Sequence, residues 1–155
     1  MGKYGVVFDA FATTTAKKTA IALNANAAGE EGELIEVVMT GSGSAAAADR
    51  QHRASVQFWT FATAGTSTSV TPQSMNTNGP AARVAGNIEY SAEGTAGDGV
   101  VFIQWGFNQR GGMRWAVPKG EGAIFNNDRT AKGLVLQVLS DAAGEVDGHG
   151  HWLEP

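Results

Sequence analysis

The stretch "WGFNQRGGMRWAVPKGEG" runs from Trp105 to Gly122 and places two tryptophans, two arginines and a lysine among five glycines. Aromatics interleaved with cations can grip a nucleic acid or a sugar. They can also be two strands and a turn, packed against the rest of a sheet. The flanking sequence favours the second reading. Upstream, "GVVFIQWGFNQ" (99–109) is apolar on both of its faces, and downstream "GMRWAVP" (112–118) and "GAIF" (122–125) are short strand candidates punctuated by "QRGG" and "KGEG". Glycine turns between short apolar runs are strand punctuation.

The same pattern spreads in both directions. In "NIEYSAEG" (87–94), strict alternation puts Ile88, Tyr90 and Ala92 on one face and Asn87, Glu89, Ser91 and Glu93 on the other, as in a half-buried antiparallel strand. "ASVQFWTF" (54–61) and "GLVLQVLS" (133–140) are apolar on both faces and need cover on both, as central strands do. "KYGVVFDAF" (3–11), "TAIALNA" (19–25), "ELIEVVMTGS" (33–42) and a final "HGHWLE" (149–154) complete the set. Only "GSAAAADRQHRAS" (43–55) reads as a helical turn or loop. Eight to ten short strands with such turns predict an all-β, antiparallel sandwich or barrel. No internal repeat or second domain interrupts it. The expected domain is the single span 1–155.

One segment stands apart. "ATAGTSTSVTPQSMNTNGPAA" (62–82) carries no charge and is longer than the usual connection. Val70 and Met75 are its two apolar pins, and a short edge strand could form there.

Composition narrows function. Glycine contributes 21 of 155 residues, above the usual share of about 7%. The net charge of −4 argues against a phosphate-backbone binder, so no nucleic acid partner is expected. Without cysteine there is no disulfide, thiolate metal site or cysteine nucleophile. No run approaches the roughly 18 apolar residues of a membrane helix, and Asp9 cuts the first apolar run short of a signal peptide. Val6 occupies the position where a myristoylation motif carries Ser or Thr. Synthesis and retention in a cytoplasm are expected.

Catalytic constellations are thin. In "GSGSA" (41–45) the serines miss the central position of a nucleophile elbow, and no Lys-Ser/Thr pair follows to make a phosphate loop. Glu30, Glu31, Glu33 and Glu36 gather near a glycine-flanked turn and read as a solvated charge run. "DGHGHWLE" alone resembles a metal cluster. On a strand, His149, His151 and Asp147 would project to one side in a two-histidine, one-carboxylate arrangement. Gly148 and Gly150 would loosen that geometry, no further ligand is evident, and His52 in "DRQHR" has cationic neighbours that oppose a metal. The expectation is no metal, no cofactor and no enzyme. Of the tryptophans, Trp59 and Trp105 read as core, while Trp115 is balanced between core and interface.

The order of these features resembles the small jelly-roll decoration (cement) proteins of tailed-phage heads. Five stretches carry the resemblance: "FDAFATTTAKKTAIALNA" as an opening hairpin, "ELIEVVMTGSGSAAAADRQHRASVQFW" as a strand pair bridged by small residues, and "TSTSVTPQSMN" as a Ser/Thr-Pro loop. "WGFNQRGGMRWAVPKGEGAIF" fits as a Phe-Asn strand end, glycine turn, aromatic strand and proline, and "KGLVLQVLSDAAGEVDGHGHWLE" as the closing pair. The likeness departs at "DGHGH" and at "GNIEYSAEGTAGDG". It implies a jelly-roll sandwich without catalysis, a homotrimer, and a partner in the phage major capsid protein on the outside of the virion. The surfaces expected to make oligomer or capsid contacts are Tyr4 and Phe8 in the N-terminal segment, Val70 and Met75 in the uncharged loop, and Arg110, Arg114 and Trp115 around the glycine turn. The alternative reading is a carbohydrate-binding β-sandwich, such as a receptor-binding tip, that uses Trp115. A third is a metal-dependent cupin-like enzyme using His149 and His151.

Overall fold

A computed structural model describes residues 1–25, 27–42, 49–60, 65–95, 100–126 and 132–155. Twelve strands form within these: β1 (Gly2–Thr13), β2 (Lys18–Asn24), β3 (Glu31–Ser42), β4 (Gln51–Trp59), β5 (Thr66–Val70), β6 (Gln73–Ser74), β7 (Ala85–Ala92), β8 (Val101–Asn108), β9 (Gly112–Ala116), β10 (Ala123–Asn126), β11 (Gly133–Ser140) and β12 (Gly144–Glu154). Among the described residues no helix is long and apolar enough to cross a membrane. Of the stretch 43–55, residues 43–48 lie outside the described residues, and Gln51 onward belongs to β4 rather than to a helix.

The strands make two antiparallel sheets. One runs β10-β3-β12-β1-β6, with β9 also paired to β3; the other runs β5-β7-β2-β11-β4-β8. The chain changes sheet on going from β1 to β2, β2 to β3 and β3 to β4, and again from β8 to β9, β10 to β11 and β11 to β12. With β9 and β10 taken as the two halves of one strand along the same edge of β3, that alternation gives the eight-strand jelly roll. The remaining strands, β5 to β7, extend from the uncharged segment. β7 and β5 widen one sheet beyond β2, and β6 joins the other beyond β1. The expected edge strand thus forms, and residues 71–72 cross from one sheet edge to the other.

The interior holds Tyr4, Val6, Phe8, Phe11, Leu23, Leu34, Met39, Val56, Phe125, Leu134, Val146 and Trp152 among others. Among the described residues, the gap ringed by Ile21, Leu34, Val56 and Leu136 has a volume of about 10 Å³, barely a water's worth. A second, smaller cluster of Ala22, Trp59, Tyr90 and Val135 lies on the outer face of the sheet that contains β2 and β11. The two-faced apolar pattern of β4 and β11 is met by these two clusters.

Two sequence expectations need correction. Alternation in β7 holds only as far as Ile88. Glu89 has φ 55°, a left-handed backbone that interrupts the pleat. Ile88 therefore enters the main core while Tyr90 joins Trp59 in the outer cluster. β8, read as a central strand, is an edge strand, and Val101 at its start is exposed.

Candidate functional site

The outer face of the β3-β12-β1 sheet gathers most of the chemistry in the described residues. In β12, buried Val146, Gly150 and Trp152 alternate with partly exposed Asp147, His149, His151 and Leu153. The register places His151 directly opposite Glu36 of β3 and opposite Gly5 of β1. His151 Nδ1 lies 2.9 Å from Glu36 Oε2, and Arg114 on β9 donates from Nε to Glu36 Oε1 at 2.7 Å. Lys3 Nζ approaches Oε2 at 3.9 Å. The His149 and His151 rings are 4.5 Å apart between centroids. Hydrogen bonds from His151 and Arg114 hold the Glu36 carboxyl down at about 2, well below the usual carboxylate range. Burial, followed by the neighbouring His151, lowers the His149 pKa.

Glycine makes this arrangement possible. A side chain at Gly5 would stand 2.6 Å from His151 Cδ2, so the imidazole lies across bare backbone. Gly148 is likewise locked, because a Cβ there would meet the Phe8 ring at 2.6 Å. The β12 glycines thus fit the strand closely to its neighbours instead of loosening it. The carboxylate that joins the histidines is Glu36, not Asp147, whose Oδ1 accepts the Ala10 N–H at 2.7 Å. Sequence reasoning missed Glu36 because its partner lies on a strand 115 residues away. The other acidic residues of that run also have structural tasks. Glu33 Oε1 accepts the Gly120 and Gly122 N–H groups, and Glu30 accepts the Ala27 N–H.

Beside this cluster runs an apolar groove of about 300 Å³, lined by Gly5, Val7, Val70, Gln73, Met75 and His151. Val7 is 68% exposed and Met75 56%. Val70 and Met75, expected at a contact surface, are brought together here. Tyr4 and Phe8 are not. They are 2% and 1% exposed, because the even-numbered residues at the start of β1 face inward; Tyr4 packs on Trp152 and Phe8 on Phe11. Val7 is the large apolar side chain that β1 presents outward.

The glycine turn behaves differently again. Arg110 pairs with Asp49 at 2.7 Å, and the Gln109 N–H bonds to the Arg50 carbonyl, which pins the turn to the start of β4. Trp115 is partly buried and lines a second open groove of about 310 Å³ with Phe58, Phe102, Glu121 and Ile124. This groove lies at the flank of the sandwich where β8 and β10 end their sheets.

His52 is inside, stacked on Phe107 and 2.5 Å from Ser140 Oγ, which in turn shares a 2.7 Å hydrogen bond with Thr13. Burial lowers its pKa. All three are at most 2% exposed, so a substrate has no access and the set is a polar tie between strands. The cupin-like reading also meets a geometric obstacle, since His149 and His151 point away from the sandwich interior. Compared with known protein families, curated proteins and solved structures, the chain matches none.

Proposed function

We propose that this chain is a non-enzymatic structural protein of the virion, bound to the outside of a tailed-phage capsid as a small oligomer, with a homotrimer as its preferred state. It stabilises the shell against internal pressure, and its partners are its own copies and the major capsid protein. It assembles in the host cytoplasm. The observation that carries this reading is the jelly-roll strand order around a filled interior, joined to the order of sequence features that resembles head decoration proteins. Among the described residues the inner gap is about 10 Å³, and the larger openings are grooves on the surface. The exposed Val7 and Met75 beside Val70 supply an apolar strip for such a contact, and repeated weak contacts from one oligomer add through avidity.

The test is the solution mass by light scattering after gel filtration across a dilution series. A persistent species of three chains supports the reading. A monomer at every concentration removes the free trimer from it. The second reading, a carbohydrate-binding module, draws on the flank groove, where Phe58, Phe102 and Trp115 stand beside Glu121. Its mark is glycan-dependent quenching of tryptophan fluorescence, abolished by Trp115→Ala.

A further inference from the structure

We propose that Glu36, His149 and His151 form a surface site for a late first-row divalent cation such as Zn²⁺, Ni²⁺ or Cu²⁺. The site is independent of the capsid reading. One donor atom from each residue falls in a group whose members all lie within 4.8 Å of one another. Donors about 2.1 Å from a bound ion stand at most roughly 4.2 Å apart, so small side-chain rotations close the set. Imidazole nitrogen with a single carboxylate is the donor mix these ions select.

The backbone holds the donors. His151 and Glu36 face each other across paired strands, and His149 stands two residues along on the same side of β12. β12 lies between β1 and β3, so all three donors stand on interior strands of the sheet. Gly5 leaves the space in which the His151 ring lies.

The two Glu36 oxygens divide the work. Oε1 is engaged by Arg114, while Oε2 turns toward the histidines. A carboxylate oriented by a hydrogen bond to its second oxygen is the usual outer support of a metal ligand. The ion takes the place between Oε2 and the imidazoles, and water completes its coordination. Lys3 at 3.9 Å and Arg114 at 2.7 Å from Glu36 oppose the added charge, which limits affinity without blocking the position. The alternative use of the same residues is a metal-free charge network centred on Glu36, and one experiment separates the two.

Purified protein stripped with chelator and dialysed is titrated with ZnCl₂, and separately with NiCl₂, by calorimetry. Bound metal per chain is counted by elemental analysis. The site predicts saturation at one ion per chain. His149→Ala, His151→Ala and Glu36→Gln should each weaken binding by more than the roughly 10–100-fold typical of losing an outer partner. Each variant's melting curve in chelator confirms that it is folded. Absence of saturable uptake overturns the proposal. So does uptake that persists in the His149→Ala/His151→Ala double variant, or that is unchanged by Glu36→Gln.

Discussion

The two sheets share one core but treat their outer faces in opposite ways. On the sheet of β2, β11 and β4, the outer face is itself packed: Trp59 is 1% exposed, its indole N–H bonds to the Thr95 carbonyl at 2.9 Å, and Tyr90 lies 5.9 Å away. On the sheet of β3, β12 and β1, the outer face is left open and carries Lys3, Glu36, Arg114, His149 and His151 beside an apolar groove. One face is covered by a second apolar cluster, and the other carries charged side chains and an apolar groove. A sandwich needs its two inner faces filled to fold, so whatever is done with the outer faces reports a second requirement. That difference makes the open face the place to look for function.

The largest expected effect breaks the comparison directly. Trp59→Ala should destabilise by about 3–5 kcal/mol in denaturant unfolding, as for a core aromatic, whereas Val7→Lys on the open face should stay within about 0.5 kcal/mol. Equal effects would mean that the two faces do not differ as described.

Next in size is Glu154, buried near the end of β12. Its carboxylate accepts the Arg83 and Val84 N–H groups at 2.8 and 3.1 Å and the Trp152 indole N–H at 2.9 Å. Glu154→Ala strands all three donors, and should cost about 2–3 kcal/mol. Amide exchange should accelerate at Arg83 and Val84 ahead of the main core. Unchanged exchange there would remove this tie from the account.

His52 sharpens the contrast between buried and open histidines. Burial lowers its pKa below the ordinary 6.5, so the unfolded chain takes up the proton first as pH falls. Its contribution is present above about 6.5 and is lost as pH drops from there toward the lower folded value. Asp141 nearby opposes the shift in part. The fall in stability between pH 7.5 and 5.5 should be shallower in His52→Gln than in the wild type. An identical slope would assign the pH dependence elsewhere.

A small effect is also expected at Arg110. Its ion pair with Asp49 joins side chains that are 66% and 53% exposed, so Arg110→Ala should cost less than about 1 kcal/mol, and less still in high salt. A large loss would show that the turn is a structural keystone rather than a surface clasp.

Much of the fold was legible because period-two alternation and glycine turns are local signals. All ten segments read as strands contain strands, but "GMRWAVP" and "GAIF" pair with β3 in the other sheet, so the "QRGG" turn joins the two sheets and does not make neighbours of β8 and β9. What was hidden depended on events the pattern does not encode. The bulges at Ala10 and Glu89 shift which side chains face inward, which turned Tyr90 to the other face and set Phe8 and Phe11 both inside. The face that Tyr4 occupies was not decided by its own residue type, since an aromatic suits a surface contact as well as a core. For the site, the histidines were visible as a pair, but Glu36 sat in a charge run that looked solvated, and only the β3–β12 register brings it to them. Val70 and Met75 stood out because apolar residues in an uncharged segment need a reason to be there, and both line the groove beside His151.

The most direct measurement of the proposed role is cosedimentation with mature tailed-phage heads, comparing the wild type with a Val7→Asp/Met75→Asp variant. The account predicts that the wild type pellets saturably with heads, while the variant, folded by its melting curve, stays in the supernatant. A wild type that does not pellet at any concentration would contradict it.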